Sequence, residues 1–227
     1  MDKKFLVIGD IHGSPHWKDI INNQIKNIND SYIYFLGDYC DSHEYTGRQC
    51  IDNMIQIFEL AEKHKNNIFL CLGNHDYHYM RFSNQKYSGY KYEYALDYYD
   101  ILTKYAHLFK IVYEIATPSK NIFISHAGIT KTFLKRANVV NPIELNDIFK
   151  ENPQLFGFDM NSSDIYGDCI TQSPLWVRPT ALVQDMYKGY HIVGHTYVPF
   201  PQVLDNMCIV CSHDKNNFIT NTINKGE

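Results

Sequence analysis

Four short fragments constrain this chain more than anything else in it: Gly9-Asp10-Ile11-His12-Gly13, Gly37-Asp38-Tyr39-Cys40-Asp41, Gly73-Asn74-His75-Asp76 and Ser125-His126-Ala127-Gly128. Each follows a strand-like apolar run, namely Phe5 to Ile8, Tyr32 to Leu36, Ile68 to Leu72 and Ile122 to Ile124. A fifth fragment, Gly194-His195-Thr196, follows His191 to Val193. Asp, His and Asn therefore recur where successive predicted strands end, which is where an open α/β sheet gathers its ligands. Oxygen donors mixed with imidazoles suit paired divalent first-row metals. Two such ions side by side imply hydrolysis of a phosphate ester.

The spacing of apolar residues sets the intervening elements. Trp17, Ile20, Ile21, Ile25 and Ile28 predict a helix over 15–28, and the residues from Ile51 to Ala61 predict a second. A third is expected over 93–108, followed by strands near 110–115 and 121–125. Residues 129–170 read as loops and short helices. The end of the chain reads as strands over 191–193, 203–211 and 218–222, with a polar turn from Ser212 to Asn217. At 227 residues, without linker, repeat or low-complexity tract, one domain over 1–227 is expected.

Bulk composition excludes several classes. Hydrophobic residues are 44% and charged residues 20%, as in an ordinary globular chain. A net charge of −4 offers no global basic excess for nucleic acid. The apolar run after Met1-Asp2-Lys3-Lys4 lasts four residues, too short for a signal-peptide core, and no stretch is long enough to span a bilayer. The expectation is a cytoplasmic protein. Cys208 and Cys211 form a C-x-x-C inside an apparent strand, where residues three apart face opposite sides, so buried thiols are expected rather than a redox or zinc pair.

Read as GDIHG, GDYCDS, GNHD, SHAG, WVRP and GHT, the blocks from about residue 5 to 211 resemble the metallophosphoesterase (calcineurin-like) superfamily, nearest to its phosphoprotein phosphatase branch. The resemblance implies a four-layer α/β/β/α sandwich, two mixed β-sheets flanked by helices. It also implies two divalent ions, manganese foremost, with iron or zinc as alternatives. Asp10 and His12 would hold the first, Asp38 would bridge both, and Asn74, His126 and His195 would hold the second. A bridging carboxylate sets such ions roughly 3.5–4 Å apart, and a water shared by them is the expected nucleophile. His75 would be the general acid, with Asp41 accepting its other ring N–H. Arg178 matches a phosphate-binding arginine.

Two departures stand out. The family's D-R-G is Asp41-Ser42-His43 here, so one arginine is missing; Arg48 is a candidate replacement. Cys211-Ser212-His213-Asp214 replaces the usual D-T-G. Asp76 is expected to bond local backbone. His16, His43, His78, His191 and His213 read as surface or satisfied core residues, with His43 and His78 near enough to reach substrate. Nine of the eighteen tyrosines fall between Tyr77 and Tyr105, where helix packing or base stacking would use them. The expected activity is that of a phosphomonoesterase like the Ser/Thr protein phosphatases, acting on a phosphoprotein, nucleotide or small phosphoester. The alternatives are a nucleotide pyrophosphatase of the dinucleoside tetraphosphatase kind, a phosphodiesterase, or a scaffold that only binds partners.

Overall fold

The computed structural model describes residues 3–160, 164–211 and 217–223, with side chains to residue 221. The first half alternates β1 (Lys3–Ile8), α1 (Trp17–Gln24), β2 (Ser31–Phe35), α2 (Gly47–Lys63), β3 (Ile68–Cys71), α3 (Asn74–Tyr77), α4 (Ala95–Lys104) and β4 (Phe109–Lys110). Then come β5 (Val112–Ala116), β6 (Asn121–Ser125), α5 (Lys131–Arg136), α6 (Leu145–Glu151) and α7 (Pro179–Asp185). The end holds β7 (Tyr190–Val193), β8 (Gln202–Leu204), β9 (Met207–Ile209) and β10 (Phe218–Ile223).

Strands that read as continuously apolar are buried on both faces. In β1, Leu6 and Ile8 pack with α1, α2 and α4 residues such as Trp17, Met54 and Leu102. Their neighbours Phe5 and Val7 point the other way and meet Ile124, Ile192 and Cys208 across the sheet interface. Tyr34 and Leu36 join that same layer, while Ile33 and Phe35 face the helices. The far face of the second sheet is closed by α5 through Phe133 and Leu134, and by α7 through Ala181 and Leu182. Helix, sheet, sheet and helix thus stack in four layers, each apolar face covered by the next.

The first sheet has the order β10-β1-β2-β3-β4 and the second β5-β6-β7-β9-β8. In the first, β1 to β4 run parallel and β10 pairs antiparallel with β1. In the second, β6, β7 and β9 run parallel, with β5 and β8 antiparallel at its edges. Both sheets are mixed, as expected.

Several boundaries differ from the sequence reading. The helix expected over 15–28 stops at Gln24, because Ile25 turns extended and Asn27 caps a separate 3₁₀ turn by accepting the Asn29 N–H. The second helix starts earlier, at Gly47, where Thr46 and Gln49 form a capping box. The third is three pieces, with 3₁₀ turns on either side of α4. The strand near 110–115 breaks at Ile111, where the chain passes from one sheet to the other. The strand over 203–211 is a β8–β9 hairpin turning at Asp205 and Asn206. The polar turn expected after it, with His213, lies outside the described residues up to position 216. Among the described residues no helix is long and apolar enough to cross a membrane.

His191 in β7 is fully buried. Its Nε2–H donates to the Tyr187 carbonyl at 2.9 Å, and its Nδ1 has no partner among the described residues. Burial pushes its pKa down to about 4, against the one hydrogen bond that favours the charged ring. The folded value is below the unfolded value of about 6.5, so the unfolded chain takes up the proton first. Stability is therefore intact above pH 6.5 and falls as pH drops towards 4, by about 3 kcal/mol from this residue. Denaturant unfolding of wild type and His191→Gln should show the wild type losing that much more between pH 7 and pH 4. Parallel losses would contradict the assignment.

Candidate metal centre

The ends of β1, β2, β3, β6 and β7 deliver Asp10 and His12, Asp38, Asn74 and His75, His126 and His195 to one place. They surround the floor of a cleft of about 410 Å³ whose lining includes Asp10, His12, Asp38, Asn74, His75, Arg178 and His195. His126 lies fully buried behind it. Two sheets contribute, so the cleft sits where their carboxyl ends meet.

The backbone here is strained. Among the described residues, five non-glycine residues have left-handed φ, and four of them are His12 (43°), Asp38 (53°), Asp41 (58°) and His195 (62°). Such conformations concentrate at functional sites, where surrounding structure holds them. The glycines of the motifs explain how the carboxylates fit. A Cβ on Gly73 would stand 2.1 Å from Asp38 Oδ1, and one on Gly194 would stand 2.1 Å from Asp10 Oδ1. The glycine of one block is thus the seat of another block's carboxylate.

Asp76 holds the β2 loop in shape. Its Oδ2 accepts the N–H groups of Asp38 (2.9 Å) and Gly73 (3.0 Å), and its Oδ1 those of Tyr39 (2.8 Å) and Cys40 (3.1 Å). Burial raises its pKa to about 7 against the pull of those donors. Asp10 is fixed by the backbone N–H of His195, 2.9 Å from Oδ2, and by the Cys211 thiol, 3.1 Å from the same oxygen. Asn217 Nδ2 donates to the Asp10 carbonyl at 2.9 Å.

Hydrogen bonds set the tautomers. His12 Nδ1 is 3.0 Å from the Asp41 carbonyl, and His126 Nδ1 is 2.9 Å from the Leu36 carbonyl. Carbonyls only accept, so both rings carry hydrogen on Nδ1 and point Nε2 inward. Each Nε2 lies 3.5 Å from the same atom, Asp38 Oδ2. The Asn74 Oδ1 lies 2.8 Å from His126 Nε2 and 3.0 Å from His195 Nδ1. Donor atoms of Asp10, His12 and Asp38 fall within 4.8 Å of one another. Carboxylate, amide and imidazole donors gathered this closely fit divalent cations.

The charges agree with that fit. Burial raises the Asp10 carboxyl, with Asp38 adding to the effect and His126 opposing it. Burial would raise Asp38 too, but its imidazole neighbours, His126 and His75 foremost, pull it well below the carboxylate range. Burial and the Arg178 guanidinium push His195 down, which leaves a neutral ring suited to ligation.

His75 stands beside the cluster without joining it. Its Nδ1 is 2.9 Å from Asp41 Oδ2, and its backbone N–H donates to Asp38 Oδ1 at 2.9 Å. Burial alone would discharge the ring, but Asp38 and Asp41 reverse this and raise its pKa to about 9. Arg178 forms the cleft wall. Its Nη1 donates to the His195 carbonyl (3.1 Å) and Thr196 Oγ1 (3.2 Å), and its Nε to the Tyr166 carbonyl (3.0 Å).

The structure does not bring Arg48 to the cleft. It is an exposed residue in the first turn of α2, with Nε 3.2 Å from Asp52, so it does not replace the missing arginine. Where that arginine would stand, Ser42 Oγ accepts the N–H groups of Glu44 and Tyr45, and His43 lines the cleft. His16 also lines it. His78 does not; it is buried against Asp41. Of the tyrosine-rich segment, Tyr77, Tyr79, Tyr98 and Tyr105 are packed inside, and Tyr87 reaches the cleft. The roles of His78, Tyr79 and Cys211 escaped the sequence reading. The first two carry no spacing signal, and the third was marked only by its departure from D-T-G.

A four-layer sandwich of two mixed sheets, with carboxylates and imidazoles on the loops after its strands, defines a class of metal-site α/β folds. The chain belongs to the calcineurin-like phosphoesterase family, whose profile matches residues 3–214. No curated protein sequence gives a significant match. Among solved structures, a protein serine/threonine phosphatase from Saccharomyces cerevisiae, with similarity to human phosphatase PP5, superposes with a TM-score of 0.61 at 16% identity, over 100% of this chain and 81% of that one. A putative diadenosine tetraphosphatase superposes with a TM-score of 0.51 at 12% identity, over 99% and 95%. At these identities the likeness is one of fold.

Proposed function

We propose that this chain is a dinuclear metal-dependent phosphomonoesterase, most like the Ser/Thr protein phosphatases, with manganese as its foremost metal and a phosphoprotein or other phosphoester as substrate. One observation carries the reading: Asp38 Oδ2 lies 3.5 Å from the inward nitrogens of both His12 and His126. Asp10, His12 and Asp38 would hold one ion, and Asp38, Asn74, His126 and His195 the other. Such ions, when bound, supply an acidified water and neutralise charge on phosphate oxygens.

The chain's own residues supply the rest. Arg178 is held by three acceptors through Nε and Nη1, so its guanidinium is fixed with the two Nη2 hydrogens left for phosphate at little entropic cost. His75 carries its proton near neutral pH and has Nδ1 committed to Asp41, which leaves Nε2 to protonate the departing oxygen. A scaffold that only binds partners needs none of these buried polar contacts. His75→Asn should lower kcat by about 10²–10⁴-fold on alkyl phosphates with KM little changed. Full activity in that variant would remove His75 from the mechanism.

The aromatic lining of Tyr45, Tyr87, Trp176 and Tyr197, together with the single arginine, favours a nucleotide pyrophosphatase as the second reading. A manganese-loaded substrate panel separates the two. Turnover of p-nitrophenyl phosphate and phosphopeptides, with no action on dinucleoside polyphosphates or bis-p-nitrophenyl phosphate, supports the monoesterase. The reverse pattern supports the pyrophosphatase or phosphodiesterase.

A further inference from the structure

Asp41 is only 2% exposed and is bound more closely than its partnership with His75 requires. The Tyr79 hydroxyl donates to its Oδ1 at 2.5 Å. The direction of that bond is fixed, because the same phenol oxygen accepts the Lys91 N–H at 2.8 Å and so turns its hydrogen to the carboxylate. Tyr79 is itself immobilised, stacked on Tyr90 at 4.6 Å and packed on Tyr98 at 4.5 Å. Gly89 closes the last side of Asp41, where a Cβ would come within 3.3 Å of the Asp41 Cβ.

His78 approaches the oxygen that His75 uses. Its Nε2 is 2.8 Å from Asp41 Oδ2, off the line of a good hydrogen bond, and is left without one. Its Nδ1 accepts the Tyr87 N–H at 3.3 Å, so the ring is neutral with hydrogen on Nε2. A hydrogen-bearing nitrogen offers no lone pair, so Asp41, His75 and His78 do not form a third cation site, close as their donor atoms are. Nor does His78 bring charge. Two imidazoles share one carboxylate, and only His75 makes an aligned hydrogen bond to it.

We propose that Tyr79 is a positioning residue for the reaction: it holds Oδ1 of Asp41 so that Oδ2 stays on His75 Nδ1, with neutral His78 as the flank that prevents the carboxylate from turning away. This rests on the reading of His75 as general acid. In that step a water-derived hydroxide bonds to phosphorus as the P–O bond to the leaving group breaks, the broken bond's electron pair stays on the leaving oxygen, and the His75 Nε2 proton moves to that oxygen. The ring leaves neutral and Asp41 remains a carboxylate. Without the phenol, Oδ1 is free, the carboxylate rotates, and the ring loses its aim.

The test is the leaving-group dependence of Tyr79→Phe, which keeps the ring packing. On the manganese-loaded enzyme, kcat for an alkyl phosphate should fall about 10–100-fold with KM unchanged, because that leaving group needs the proton. On 2,4-dinitrophenyl phosphate, which leaves without help, the loss should be less than about threefold. His78→Phe, which preserves stacking on Tyr87, should show the same pattern with smaller amplitude and serves if Tyr79→Phe is too unstable to assay. Equal losses on both esters, or no loss on either, would overturn the proposal. If wild type turns over neither ester with manganese, iron or zinc, the functional reading fails. The positioning is then read by ¹⁵N NMR of the His75 Nδ1–H, a resonance absent from His75→Asn. It should be sharp in wild type and broadened by exchange in Tyr79→Phe, and an unchanged resonance would overturn the proposal.

Discussion

Asp38→Asn is expected to lower kcat/KM by about 10³-fold or more and to cut bound metal from two ions per chain to one at most. Asparagine is the fair substitute. It tolerates the left-handed backbone at this position (φ 53°), and its amide oxygen can still accept the His75 N–H now made to Oδ1. What it removes is the charge at Oδ2, the atom that faces both His12 and His126. Loss of a bridging carboxylate weakens both cation positions together, which a ligand serving one position would not do. The fold should survive, because asparagine keeps the Oδ1 acceptor and the loop backbone is held by Asp76 and not by Asp38. Elemental analysis and steady-state kinetics on the same preparation check both halves. Two ions retained at the wild-type rate would show that Asp38 is not shared.

Asp76→Ala should cause the largest loss of stability. It leaves the N–H groups of Asp38, Tyr39, Cys40 and Gly73 without their acceptor in a buried setting. Each orphaned donor costs about 1–3 kcal/mol, so the total is about 4 kcal/mol or more. For a chain of this size that is a fall of roughly 10 °C in Tm. Asp76→Asn keeps one acceptor oxygen and should fall between. Activity should drop with stability, since the strained loop that presents Asp38 is no longer held. An unchanged melting midpoint in Asp76→Ala would show that water or rearranged backbone satisfies the loop.

The site was legible because its signals are local. A glycine, then a carboxylate, amide or imidazole, directly after an apolar run places a ligand at a strand end without long-range information, and five such blocks point to one place. The sandwich was legible for a related reason. Strands such as Phe5 to Ile8 show no polar alternation, which means that both faces are covered. Features that depend on direction in space were not legible. Arg48 follows the missing arginine closely in sequence, yet the capping box at Thr46 starts α2 there and turns it to solvent. The Asp205-Asn206 turn lacks the glycine that marks most two-residue hairpins, so β8 and β9 read as one strand. Ile111 carries no sign that the chain changes sheets. Tyr79 and His78 reach Asp41 from 38 and 37 residues away, through packing among tyrosines that looked like ordinary helix filling.

The central claim is a carboxylate shared by two cations. Anomalous diffraction from crystals of the manganese-loaded protein, collected above and below the manganese edge, tests it most directly. Two peaks should flank the Asp38 carboxylate, one beside Asp10 and His12, the other beside Asn74, His126 and His195. No peak at Asp38, or a single ion that touches neither histidine, would contradict the account.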